Sequence, residues 1–203
     1  MSLRLLNFAV AALALAALSE PASAESGKWI GPPSALPRAQ RGERVRNLDF
    51  LFEALKIAPD ATSAKAIEDR IWAVWVASGS DTCNLLMTRV KAAVDAEKLD
   101  LAIQLLDAVV ELKPGYIEAW NRRATIFYMK KQYGQALADI RQVLSREPRH
   151  FGALAGLGTI LQDIGEDKQA LEAFRRALAV DPHLEGIAEK VKTLSEKVEG
   201  RDI

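Results

Sequence analysis

Three prolines, Pro114, Pro148 and Pro182, follow one another at intervals of 34 residues, and three alanines, Ala102, Ala136 and Ala170, keep the same interval. Two independent landmarks on one period mark the chain as a repeat before any single element is assigned. The stretch between landmarks, for example 117–150, reads as two amphipathic helices joined by a short turn and closed by proline. A hairpin of this kind cannot bury its apolar face alone, so each unit must lean on its neighbour, and an all-α solenoid follows. The alanines let helices approach more closely than the usual ~8–10 Å. Each proline lacks an N–H and restricts the residue before it, which separates one helix from the next. Trp120 and Phe127 lie two turns apart and are expected to share the inward face.

Three units follow, 83–116, 117–150 and 151–184. Upstream, 48–80 carries two further helices split at Pro59-Asp60, with Asp60 placed to cap the second. One period back from Pro114 lies Ser80, within Ser78-Gly79-Ser80, so this pair is expected to be a degenerate unit capping the N-terminal end. Trp72 and Trp75 share one of its faces and are expected in the core; an exposed pair would instead mark a partner contact. Downstream, 185–199 gives a capping helix, with Leu184, Ile187, Val191, Leu194 and Val198 forming an apolar seam and charged residues outside.

The first 24 residues have the form of a secretory leader. Arg4 precedes a short apolar run, and Ala22-Ser23-Ala24 offers small residues to a signal peptidase, so cleavage after Ala24 and a periplasmic location are expected. The run is shorter than the ~20 residues that span a bilayer, and no other run replaces it, so no membrane span is expected after cleavage. Residues 25–47, with Pro32, Pro33, Pro37 and several arginines, read as a flexible linker. The full chain carries 27 basic and 27 acidic residues; the leader holds one of each. A balanced chain offers no basic stripe for nucleic acid and no polybasic patch for anionic lipid.

The repeat resembles the tetratricopeptide repeat (TPR) family. Unit 117–150 supplies Trp120, Ala124, Phe127, Tyr133, Ala136, Ile140, Val143 and Pro148; unit 151–184 supplies Leu154, Leu157, Gly158, Leu161, Gly165, Ala170, Phe174, Ala177 and Pro182. Unit 83–116 keeps Ala102, Leu106, Val109 and Pro114 but has Val90 where a small residue is usual. The resemblance implies a right-handed solenoid of helical hairpins whose concave groove, lined by the first helix of each unit, holds a protein or peptide segment. Carried onto this chain, the groove positions are Asn84, Met87, Thr88 and Lys91; Glu118, Asn121, Arg122, Thr125, Tyr128 and Met129; and Gly152, Ala155, Gly156, Thr159, Gln162 and Asp163. Asn121 suits a peptide backbone, Arg122 and Lys91 a carboxylate, and Tyr128, Met87 and Met129 apolar side chains. The subclass that clamps a terminal carboxylate is a poor match, because Met87, Gly152 and Gly156 replace its polar groups.

Enzymatic chemistry is not expected. There is no HExxH, no phosphate loop and no Gly-x-Ser-x-Gly, and no cofactor or metal site is proposed. Cys83, the single cysteine, is expected to pack, although pairing with another chain stays open. His150 and His183 follow unit-closing prolines and are read as turn residues; Gly152, Gly156 and Gly158 are read as close packing or room for a ligand backbone. Arg123 is expected to face an acid within the stack, Glu118 or Asp139. The expected function is an adaptor, with a homo-oligomer built through the Trp-bearing helices as the alternative.

Overall fold

The computed structural model describes residues 48–200; the leader and linker lie outside the described residues. These residues form nine α-helices and no strand: α1 (Leu48–Lys56), α2 (Ala61–Val76), α3 (Asp81–Asp95), α4 (Leu99–Leu112), α5 (Ile117–Met129), α6 (Tyr133–Arg146), α7 (Phe151–Asp163), α8 (Asp167–Val180) and α9 (Ile187–Val198). The three expected units are the hairpins α3–α4, α5–α6 and α7–α8. They stack in chain order, α4 against α5 and α6 against α7, with α9 closing on α8.

The landmarks do what their size demands. Ala102, Ala136 and Ala170 are fully buried, one at each hairpin contact. In the third unit, α7 comes still closer to α8, since a Cβ added to Gly158 would lie 2.5 Å from the Phe174 ring. The turn inside each hairpin needs one residue with positive φ, and the period holds there too: Glu97 (56°), Lys131 (58°) and Gly165 (86°). Only the third unit uses glycine; Glu97 and Lys131 adopt the left-handed region at a cost of roughly 1 kcal/mol each. Asp60 caps α2, its Oδ1 accepting from the Ser63 N–H at 2.7 Å.

The N-terminal pair corrects the expectation of an end cap. It does not extend the stack: α2 packs on α5 and α1 on α8. Its core of Leu51, Phe52, Leu55, Ile71 and Trp75 is completed by Ile117 of the second unit and by Phe151, Val180 and Leu184 of the third. The reason lies in what α2 carries. Two indoles need deep apolar cover, and the unit starts supply it. Trp120 and Phe127 share a face, and Phe127 packs against the core around Ala136 and Ile140. Both are only half-buried and flank the Arg123 guanidinium, which lies 4.8 Å and 5.8 Å from their ring centres.

Two glycines of α7 separate packing from propensity. Gly158→Ala forces its methyl into Phe174 and should destabilise by about 1–3 kcal/mol. Gly156→Ala meets only Ile140 Cδ1 at 3.8 Å, and should stabilise by about 0.5–1 kcal/mol through helix propensity. Urea denaturation of both variants checks the pair of signs.

Candidate partner-binding face

The position of α1–α2 sets the surroundings of the unit starts. The pair runs past the turns that join successive units. At the first, the Tyr116 hydroxyl donates to Val76 O at 2.7 Å and the Lys113 ammonium donates to Ser78 O. At the second, Trp75 stacks on His150 with ring centres 3.9 Å apart and planes 10° apart, while Trp72 meets His150 and Phe151 edge-on. Arg149 there donates to Asp49 at 2.6 Å and lies over Phe52. At the third, the His183 Nε2–H donates to Ala58 O at 3.0 Å.

His150 is therefore a core residue and not merely a turn residue. Its Nδ1 accepts from the Ala153 N–H at 3.1 Å, capping α7, and its burial drives the imidazole pKa down to about 3. Gly152 has a matching explanation, because a Cβ there would lie 3.0 Å from Trp72. The glycine admits an indole of the same chain, not a ligand backbone. Trp75 is buried and Trp72 half-buried by these contacts, which sets the indole pair against the core as expected.

Along α3 and α5 the predicted site splits. Arg122, expected to meet a partner's carboxylate, is only 6% exposed. Its Nε donates to Glu118 Oε1 at 2.8 Å, one turn away on α5. Glu118 is buried as well; burial pushes its carboxyl up, opposed by Arg122 and by Asn121, whose Nδ2 donates to Oε2 at 3.0 Å. The Arg122 guanidinium is thus committed inside the protein, and the Asn121 amide is partly spent on the same acid. Met87 is buried too, which removes it from the groove. Corrected in this way, the expected site loses its first turns.

The C-terminal halves of α3, α5 and α7 remain open. Met129 is 42% exposed, Thr125 is exposed, and Tyr128, Thr159 and Gln162 are half-buried. Tyr128 donates to Asp163 Oδ2 at 2.9 Å, which ties α5 to α7; burial, and then this acid, raises its phenol pKa. Lys91 is half-buried and pairs with Asp95 at 2.6 Å. The surface offers hydroxyls, an amide and a thioether with little unbalanced charge, which suits the side chains and backbone of an extended peptide.

Neighbouring features resolve the other expectations. Arg123 grips Asp139 through Nε and Nη2, both at 2.8 Å, and reaches Asp107 on α4 at 2.6 Å. Cys83 is buried at the start of α3, where its N–H donates to Ser80 Oγ. Periodicity could not signal one further pair. Asp181, fully buried in the α8–α9 turn, faces Glu68 of α2, with Lys65 3.3 Å from Glu68 and the His183 N–H donating to Asp181 Oδ1. Burial and then Glu68 raise the Asp181 carboxyl to about 6.

Comparison with known proteins agrees with this architecture. The tetratricopeptide repeat profile matches residues 87–141 and 130–184. A TPR repeat-containing protein of Rhizobium etli is 41% identical over 155 residues, covering 76% of both chains. The chain belongs to the tetratricopeptide repeat family, whose domains mediate protein–protein interaction. Among solved structures, the first TPR of Spaghetti (RPAP3) bound to an HSP90 peptide superimposes with a TM-score of 0.56 at 16% identity, over 59% of this chain and 95% of that one. A crystal structure of MamA matches with a TM-score of 0.55 at 18% identity, over 79% and 86%.

The Glu68–Asp181 contact has a definite pH signature. A carboxyl whose pKa rises on folding, here from 3.8 to about 6, contributes stability that is fully present below the unfolded value and lost as pH rises through the folded one. Asp181→Asn keeps the acceptor for His183 and presents a donor to Glu68. It should raise stability by on the order of 1–2 kcal/mol at pH 7–8, with the gain fading towards pH 4. Thermal melts of parent and variant across that range provide the check.

Proposed function

We propose that the chain is a non-enzymatic adaptor of a bacterial envelope, carried to the periplasm by the leader 1–24 and cleaved after Ala24. There it holds a peptide segment of another envelope protein against α3, α5 and α7. Exposed Met129 carries the reading: an apolar thioether stands open beside Thr125 and the Tyr128–Asp163 bridge, on the helices that line the groove in this family. Thr159 and Gln162 extend the face onto α7, and Lys91 extends it onto α3. The segment is an internal one. A terminal carboxylate would need a free cation on the early turns of these helices, where Arg122 is held by Glu118 and Gly152 lies under Trp72. The peptide bound to the Spaghetti domain is a property of that protein, and its mode of capture is not transferred to this one.

The experiment is site-specific photocrosslinking in intact cells. A benzophenone side chain at Met129 should trap a discrete envelope protein, and the same group at Arg176, exposed on α8, should not. Met129→Asp should weaken capture of that protein by at least ~10-fold while leaving the melt unchanged. Equal trapping at both positions would place the site elsewhere. The mass of the chain recovered from the periplasmic fraction tests the leader, with Glu25 expected at its N-terminus.

A further inference from the structure

Since α1–α2 does not cap the stack, the leading face of the first unit has no preceding unit against it among the described residues, and the repeat itself shows what that face is built for. Ala119 and Ile126 of the second unit, and Ala153 and Ile160 of the third, are buried where the preceding unit packs. Their counterparts one period earlier are Leu85, which is 55% exposed, and Ala92, also exposed. The face continues onto α4. Arg123 on α5 bonds to Asp139 on α6, so their counterparts Arg89 and Leu105 adjoin on α3 and α4. Leu101 and Leu112, the latter 61% exposed, extend the same stripe of α4. An apolar face with this origin is a stacking surface that lacks its second half.

The charges on the face identify the occupant. Asp81, Leu85 and Arg89 follow at intervals of one turn along a single face of α3. Asp81 and Arg89 are exposed, and neither has an ion-pair partner among the described residues. Acid, apolar residue and base in equal steps form a pattern that complements its own reverse.

We propose that this face joins two copies of the chain about a two-fold axis passing beside Leu85, with α3 antiparallel to its counterpart. The arrangement is isologous, so each contact occurs twice. Leu85 meets the copy's Leu85, and Arg89 meets the copy's Asp81 on either side. The leucines of α4 enlarge the apolar patch, while the charges set direction more than affinity. None of the groove residues takes part, so the outcome here is independent of the reading of Met129.

Sedimentation velocity on the full chain across the micromolar range tests the proposal. A reversible species of twice the chain mass is expected. Leu85→Glu should abolish it, and Arg89→Asp should weaken it by at least ~10-fold. Combining Arg89→Asp with Asp81→Arg should restore it to within ~3-fold, because the swapped charges again face opposite ones. Leu85→Cys should form a covalent dimer under mild oxidation, without background from Cys83, which is buried. A chain that stays monomeric throughout overturns the proposal, whether the face is then covered by residues 25–47 or by another protein. So does a dimer indifferent to Leu85→Glu, or an uncrosslinked Leu85→Cys variant that melts as the parent does. Failure of the charge swap in a variant of parental stability overturns the antiparallel register.

Discussion

Close approach between helices is the constraint from which the rest of the structure follows. Each hairpin of about 30 residues has too little interior to bury its own apolar face, so stability comes from the fit of one unit against the next. That fit depends on small residues where two helices meet. Ala102, Ala136 and Ala170 provide it in every unit, and Gly158 takes it further by admitting Phe174 where no Cβ fits. Helix propensity is sacrificed at that glycine because dispersion contacts along the whole α7–α8 seam outweigh a local loss of about 1 kcal/mol.

The same constraint makes the ends of a stack the place where a chain can diverge from its pattern. At the C-terminus α9 closes on α8, with Ile187 and Leu194 inside and charged residues outside. At the N-terminus the helix pair turns away from the end and lies against the turns between units. The interactions there are heterogeneous: a stacked Trp75–His150 pair, a Tyr116 hydroxyl to a backbone carbonyl, Arg149 with Asp49, and His183 with Ala58. On the stack side they keep the period, Tyr116 with His150 and Arg149 with His183, but their partners Val76, Trp75, Asp49 and Ala58 follow none.

This difference explains what could be read in the sequence. The all-α repeat, the cap at Asp60 and the three buried alanines were legible, since each arises from local spacing or residue size. The left-handed turns at Glu97 and Lys131 carried no glycine and were visible only through their registry with Gly165. The site was legible in part. Thr125, Tyr128, Met129, Thr159 and Gln162 retain their place on an open face, whereas Met87 and Arg122 do not. Both are buried, and a helical pattern alone cannot distinguish a groove residue from one that the rest of the chain covers.

Arg122 shows what such cover does to function. An arginine and a glutamate one turn apart at a helix surface gain little from pairing, because water screens them. Buried as it is here, the pair becomes an obligation: either charge without the other would be left uncompensated, at a cost of several kcal/mol. Glu118 therefore fixes the guanidinium that would otherwise be the strongest anion ligand on the face. Asn121 reinforces the arrangement by donating to the second carboxylate oxygen. The half-turn around Met129 stays open. The buried acid beside an arginine, and not the arginine's position on the helix alone, thus decides whether its charge reaches the surface.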